Sequence, residues 1–183
     1  MDRRSYLIGI SALVVTTSGC MSGDTQSSGR RLEVTNSRNV NAAVVSQSAS
    51  PPEYTATIEN TGMSGECRVE LLWPADGDQS GDVATSTTIG IESGGRQSVT
   101  LTADRPSSAR RYGFQTKSID FAADIKNRGE DTAVFAQLVK EPSGVVLDEK
   151  EREITSGDTI TVQFQVPEGY SGEYAVQTTL AEV

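Results

Sequence analysis

The sequence predicts an all-β protein made of two tandem antiparallel β-sandwich repeats. From Asn39 onward the apolar residues alternate with polar ones instead of recurring every three or four positions, so no segment forms a credible amphipathic helix. Val, Ile, Thr, Tyr and Phe dominate the alternating runs, and clusters of Gly, Asn, Asp and Ser separate them. This pattern is typical of antiparallel sheets with one buried face.

One of these runs occurs twice at a constant offset. YTATIENTG, residues 54–62, matches FAADIKNRG, residues 121–129, with an offset of 67 residues. Each run ends in Asn-x-Gly, where we predict a turn in which Gly or Asn adopts a positive φ. Because side chains alternate across a strand, the residues predicted to point inward are Tyr54, Ala56 and Ile58 in the first copy, and Phe121, Ala123 and Ile125 in the second.

Two further segments repeat in the same order. Aligning Gly94 with Gly157 places Val99 on Val162 and Leu101 on Phe164. Residues 112–116 then match residues 174–178 at an offset of 62, so the first copy carries about five extra residues in its middle loops. Each copy is predicted to continue after Asn-x-Gly with a second strand, residues 66–73 or 132–140, followed by a strand after the Gly and a closing strand led by Tyr.

These matches set the predicted domain boundaries. The first sandwich is predicted over residues 32–117 and the second over residues 118–183. The chain passes almost directly from the run at 112–116 into the run at 121–125, so the second copy either lacks a first strand or shares one with its neighbour. A module of about 65 residues buries only about 60% of its unfolded surface, and we therefore expect the two copies to pack against each other.

The repeats, with Asn60-Thr61-Gly62 as the best single match, resemble the Ig-like CARDB-type adhesion modules of archaeal and bacterial surface proteins. The resemblance covers most of residues 39–183. It implies two tandem Ig-like β-sandwiches that act in adhesion at a cell surface.

The first 19 residues are predicted to be an export signal. Arg3 and Arg4 form a charged start, and the apolar run at residues 7–15 is too short to cross a hydrocarbon core of about 30 Å. Arg3-Arg4-Ser5-Tyr6-Leu7 resembles the twin-arginine export motif. The small residues Thr17-Ser18-Gly19 before Cys20 resemble a lipobox, which implies a lipid on Cys20. The alternative is an ordinary cleaved signal with an incidental cysteine.

A flexible tether is predicted between this cysteine and the folded part. Residues 21–31, MSGDTQSSGRR, lack periodicity and are rich in Ser and Gly. With Cys20 lipidated, Cys67 is left as a lone thiol, and we expect no disulfide. The tether would hold the folded part at the outer face of the cell membrane.

Composition excludes several classes of chemistry. The 183 residues include no His, which removes Ser-His-Asp hydrolases, His-ligated zinc and blue-copper sites. The net charge of −9 argues against binding to nucleic acid or to an anionic membrane surface, because both need a concentrated basic patch. The acidic, Lys-poor and Thr/Ser-rich composition resembles that of proteins from salt-loving archaea.

One loop has the spacing of a cation site. Asp76, Asp78 and Ser80 occupy alternate positions before Gly81, followed by Asp82, as the first ligands of a calcium loop do. Thr87 stands where such a loop carries its bidentate Glu. The alternatives are therefore a calcium site, which would be the only cofactor, and a solvated loop inserted in the first copy.

Two other features bear on binding. Cys67 shares a strand face with Val69 and Leu71, and we expect it to be a buried core thiol. Phe135 and Val139 lie on the opposite face of their strand from Val134, Ala136 and Leu138, so both faces of this strand carry apolar groups. Either the two copies bury Phe135 and Val139 against each other, or these residues form an interaction patch for a partner.

The sequence therefore predicts a lipid-anchored extracellular envelope protein that acts as a non-catalytic binding or structural module. Its expected partners are the membrane, through the lipid on Cys20, and an envelope protein or polysaccharide. The alternatives are an accessory subunit of an envelope transporter and an enzyme that uses loop carboxylates.

Overall fold

A computed structural model describes residues 32–74, 81–167 and 173–180, and every regular element in these ranges is a β-strand. The prediction of an all-β fold is confirmed. In the described ranges no helix is long and apolar enough to span a membrane. The strands are β1 (Leu32–Asn39), β2 (Ala42–Ser50), β3 (Glu53–Asn60), β4 (Gly65–Pro74), β5 (Gly81–Ile91), β6 (Arg96–Thr102), β7 (Gly113–Ser118), β8 (Asp120–Asn127), β9 (Thr132–Lys140), β10 (Val145–Ile154), β11 (Thr159–Gln165) and β12 (Tyr174–Leu180).

The chain divides into two units, each made of two three-stranded sheets. The described part of unit 1 comprises residues 39–74 and 81–119, with sheets β2-β3-β6 and β5-β4-β7. The described part of unit 2 comprises residues 32–38, 120–167 and 173–180, with sheets β1-β8-β11 and β10-β9-β12. The two sheets of one unit have the same strand order as those of the other when β1 is matched to β2, β8 to β3 and the later strands in sequence. The fold is therefore duplicated, as the sequence predicts.

The first strand of unit 2 is not where the predicted boundaries place it. Residues 32–38 were expected in the first sandwich, but β1 pairs with β8 and its residues Leu32 and Val34 pack against the core of unit 2. Unit 1 ends at Ile119 rather than at Lys117. The second copy thus has its own first strand, and unit 1 is inserted between that strand and the rest of unit 2. Alternation along a strand shows which face is buried but not which sheet the strand joins, so the sequence pattern could not reveal this.

Each unit has a core between its two sheets. In unit 1 the predicted inward residues Tyr54, Ala56 and Ile58 of β3 lie opposite Cys67, Val69 and Leu71 of β4, and all six are almost fully buried. In unit 2 Phe121, Ala123 and Ile125 of β8 face Ala136 and Leu138 of β9 in the same way. Val99, Leu101, Val162 and Phe164, from the strands after the Gly turns, complete the cores. These predictions are confirmed.

A buried asparagine stands at the same place in both units. Asn60 and Asn127 end β3 and β8, and both side chains are inaccessible to solvent. The Asn60 Oδ1 accepts hydrogen bonds from the backbone N–H groups of Asn41 and Gly62, and its Nδ2 donates to the carbonyl of Met63. In unit 2 the backbone N–H of Gly129 donates to Asn127 Oδ1. Each asparagine therefore satisfies backbone groups that would otherwise be buried without partners.

The positive-φ prediction for these turns is wrong. Within the described ranges the residues with positive φ are Gly94, Gly144 and Gly157, and none belongs to an Asn-x-Gly turn. Gly62 leaves room for the backbone beside it, because a Cβ built there would lie 2.2 Å from the carbonyl oxygen of Asn39. Gly94 and Gly157 occupy equivalent turns, and their N–H groups donate to the carbonyls of Asn60 and Asn127.

Candidate interaction surfaces

Several predicted site residues lie outside the described ranges. These are Arg3 and Arg4 of the export motif, Cys20 of the lipobox, and Asp76, Asp78 and Ser80 of the calcium loop. Asp82 lies in β5, where it pairs in register with Trp73 of β4. In the part of the chain that is described, no three acidic or Cys side chains come close enough to hold a metal ion. The calcium site stays a prediction.

Cys67 is a core residue, as expected. Its side chain is inaccessible to solvent, and burial raises the pKa of its thiol to about 11. The equivalent residue in unit 2, Val134, is buried to the same extent. A thiol with this pKa stays protonated near neutral pH and is a poor nucleophile.

Phe135 and Val139 have unequal exposure. Val139 is buried at 1% exposure, whereas Phe135 is half-buried. Of the two, only Phe135 keeps surface that another molecule could contact. In unit 1 the residue equivalent to Val139 is Leu72, which is also buried. The same outer position of the second strand is thus buried in both copies.

A buried carboxylate lies on the outer face of β4. Glu70 is 4% exposed, and it accepts a hydrogen bond from Gln115 Nε2 at 2.5 Å. The Nζ of Lys117 lies 2.9 Å from Glu70 Oε2 and 3.1 Å from Glu70 Oε1. Gln115 and Lys117 belong to β7, which neighbours β4 in its sheet. The three side chains join the two strands, as expected of a buried charge that is stable only with partners.

The outer face of sheet β1-β8-β11 is centred on Asp124. Arg38 of β1 binds its carboxylate in a bidentate manner, with distances of 2.6 Å from Nη1 to Oδ2 and 3.1 Å from Nη2 to Oδ1. Asn36 Nδ2 donates to Oδ2 at 3.3 Å, and Thr161 Oγ1 of β11 donates to Oδ1 at 2.6 Å. Thr35 Oγ1 donates to the backbone carbonyl of Asp124. We call these five residues the Asp124 clasp, because they join all three strands of the sheet.

The clasp depresses the pKa of Asp124 to about 2. The main causes are the hydrogen bonds from Arg38 and Thr161, which stabilise the ionised carboxylate. Because the pKa is lower in the folded protein than in the unfolded chain, the clasp stabilises unit 2 above the unfolded pKa and this stabilisation is lost as the pH falls towards 2.

We therefore expect the variant Asp124→Asn to be less stable than the wild type at pH 6 and to approach it at pH 2. Thermal melts of both proteins across this range, followed by circular dichroism, measure the difference. The variant Asp158→Asn, which removes a carboxylate of unit 2 outside the clasp, is the control for general charge effects. A difference between wild type and Asp124→Asn that does not change with pH would contradict this role of the carboxylate.

Unit 1 carries hydroxyl groups where unit 2 carries the clasp. The outer face of sheet β2-β3-β6 presents two rows of three side chains, whose order across the strands follows from the register. Strands lie about 4.8 Å apart and alternate residues about 6.8 Å apart, so the rows form a grid. We call it the hydroxyl face. Its members are Ser46, Thr57 and Ser98 in one row, and Ser48, Thr55 and Thr100 in the other.

The hydroxyl face is accessible and carries no charge. Ser46, Ser48, Ser98 and Thr100 are exposed, and the two threonines of the central strand are half-buried. Thr55 Oγ1 and Thr100 Oγ1 are 2.9 Å apart and share a hydrogen bond. Next to the grid, Arg96 Nη2 lies 3.1 Å from Glu59 Oε1. In a chain with a net charge of −9, an uncharged face of hydroxyl groups is distinct from its surroundings.

Neither the clasp nor the hydroxyl face is apparent in the sequence of one copy alone. The signal that could have found both is the disagreement between the aligned repeats. When the two copies are aligned, Asp124 is equivalent to Thr57 of the first copy, and buried Ala122 is equivalent to Thr55. Differences at outward positions between two copies of one fold mark places where the copies have different roles.

No family model matches the chain, and no curated protein matches it.

Proposed function

We propose that this protein is a lipid-anchored extracellular protein of the cell envelope, which acts as a non-catalytic module that binds envelope polysaccharide through unit 1. The observation that carries this proposal is the hydroxyl face, in combination with the export motif and lipobox of the N-terminus. Hydroxyl groups both donate and accept hydrogen bonds, which suits the hydroxyl groups of a sugar chain.

The order of segments along the chain supports the anchored arrangement. Residues 20–31 lead directly into β1, which is a strand of unit 2. A lipid on Cys20 would therefore be joined directly to unit 2, and along the chain unit 1 follows β1 of that unit. Unit 1, which has the uncharged face, is then the unit that is not itself tethered.

The anchoring is tested by Cys20→Ser. We expect this variant to appear in the medium, because a protein without the lipidated sulfur has no acyl chain to insert in the membrane. The measurement is the fraction of protein in the medium and in the washed membranes, by quantitative immunoblot. Cys67→Ser is the matched control, and it should stay with the membrane. Retention of Cys20→Ser on the membrane would contradict lipid anchoring.

The polysaccharide contact is tested by placing a charge on the hydroxyl face. We expect Thr100→Glu to weaken binding to isolated envelope polysaccharide at least tenfold, because the carboxylate must lose its hydration when the face is covered. The measurement is co-sedimentation of the chain from residue 21 with that polysaccharide. Gln163→Glu is the matched control, since Gln163 is the exposed residue of unit 2 at the position of Thr100. Equal binding by the two variants, or no binding by the wild type, would contradict the proposal.

A further inference from the structure

β1 is far along the chain from the strand with which it pairs. β1 has one neighbour in its sheet, β8, and residues 40–119 separate the two strands along the chain. Glu33 Oε2 lies 2.5 Å from Arg128 Nε, beyond the C-terminal end of β8, and Arg38 contacts Asp124 further back along that strand. β1 and β8 are therefore antiparallel. Near its N-terminal end β1 supplies the acidic partner of an ion pair, Glu33, and near its C-terminal end it supplies the basic partner of another, Arg38.

β1 contributes little to the core of unit 2. Its apolar residues Leu32 and Val34 are only partly buried. The buried side chains of sheet β1-β8-β11 come mostly from the other two strands, which supply Phe121, Ala123, Ile125, Val162 and Phe164. Removal of β1 would leave these residues in place and would expose the backbone edge of β8. An exposed edge pairs readily with an extended segment.

Recognition of β1 depends on polar groups. Thr35, Asn36 and Arg38 each donate to Asp124, and a guanidinium bound to both oxygens of a carboxylate fixes register as well as affinity. The equivalent strand of unit 1 needs no such contact. β2 is joined to β3 by Pro51 and Pro52 alone, so β2 stays beside its neighbour through the chain itself. β1 and β8 have no such turn between them, since folded unit 1 joins them instead, and the clasp fixes the register in which they pair.

We propose that β1 is an exchangeable strand that also completes unit 2 of a second copy of this chain. The partner copy contributes its own Arg38 and Glu33, which pair with Asp124 and Arg128 of the first copy, and the exchange is reciprocal. Only the C-terminal end of β1 is joined to unit 1, so the strand can leave one unit 2 and enter another while unit 1 stays folded. Exchange of an identical element between copies is a common route to a dimer with twofold symmetry. The inference does not depend on lipid anchoring or on polysaccharide binding.

The test uses two charge-reversed chains. Arg38→Asp places a carboxylate opposite Asp124, and Asp124→Arg places a guanidinium opposite Arg38, so each chain alone has a repulsive clasp. In a reciprocal dimer of one chain of each kind, both pairs are attractive. We expect each variant alone to be monomeric and an equimolar mixture, refolded together from denaturant, to have twice the mass by light scattering. The chain with both substitutions restores attraction within one molecule and is the control for folding.

A crosslink distinguishes strand exchange from other dimers. Glu33→Cys is added to the chain with Asp124→Arg, and Arg128→Cys is added to the chain with Arg38→Asp. A short bis-maleimide should then join one chain to the other in the mixture. A mixture that stays monomeric while the doubly substituted chain folds would overturn the proposal, and so would a dimer that forms without this crosslink.

Discussion

Ile58→Ala and the equivalent Ile125→Ala are each expected to destabilise both units, and most strongly the unit that carries the substitution. Both side chains are inaccessible to solvent, and Ile→Ala in a core costs about 2–5 kcal/mol of unfolding free energy. The coupling between the units follows from the insertion of unit 1 between β1 and β8.

Folded unit 1 holds its own two ends together. Asn39 Nδ2 donates to Ser118 Oγ at 3.1 Å, and Ser118 Oγ also donates to the carbonyl of Val40. When unit 1 unfolds, residues 40–119 become a flexible loop that must close before β1 can pair with β8. Relative to a two-residue hairpin such as β2–β3, closing this loop costs about 3 kcal/mol. The coupling is reciprocal. Unit 1 loses the same stabilisation when unit 2 unfolds, because the pairing of β1 with β8 restrains the two ends of unfolded residues 40–119.

The two units can be followed separately in guanidinium. Trp73, the single Trp of the chain, lies in unit 1 against Tyr54, so its fluorescence reports on that unit. Hydrogen exchange of peptides from β8 and β11 reports on unit 2. We expect each variant to lower the midpoints of both signals. A variant that lowers only the signal of its own unit would contradict coupling through the insertion.

Asn60→Ala is expected to lower the unfolding free energy by about 3–5 kcal/mol, an effect comparable with that of a large core truncation. The substitution removes the partner of the Asn41 and Gly62 N–H groups and of the Met63 carbonyl. An unsatisfied buried polar group costs about 1–3 kcal/mol. Asn127→Ala should have a similar effect on unit 2, because it frees Gly129 N–H and the carbonyls of Glu130 and Ile154.

Substitution by Asp separates the hydrogen bonds from the volume of the side chain. Asn60→Asp keeps an acceptor but turns a carboxylate oxygen towards the Met63 carbonyl, so we expect a loss at pH 7 at least as large as that of Asn60→Ala. Burial raises the pKa of the new carboxyl above its unfolded value, and part of the loss should be recovered as the pH falls and the group protonates.

These losses are measured by denaturant unfolding with Trp73 fluorescence. Asn41→Ala is the matched control, because its side chain makes an exposed hydrogen bond with Thr61 and its loss should cost under about 1 kcal/mol. A loss for Asn60→Ala no larger than that of the control would show that the buried asparagine is not required to hold the turn.

Ile58 and Ile125 were predicted to be buried because alternation and a constant offset are local properties of the chain, and the structure buries both. Asn60 and Asn127 were predicted as turn residues through their backbone conformation, yet their role lies in buried side-chain hydrogen bonds. Those bonds join segments up to 32 residues apart, and no local pattern contains this information.

The amino-acid pattern alone determines that this chain forms strands, that the fold occurs twice, and which residues of β3, β4, β8 and β9 enter the cores. Only the tertiary structure decides that β1 belongs to unit 2 and that Asp124 holds it there. The physical reason is that side-chain alternation is a property of one strand, whereas the choice of a neighbouring strand depends on contacts between residues distant in sequence, such as Arg38 and Asp124.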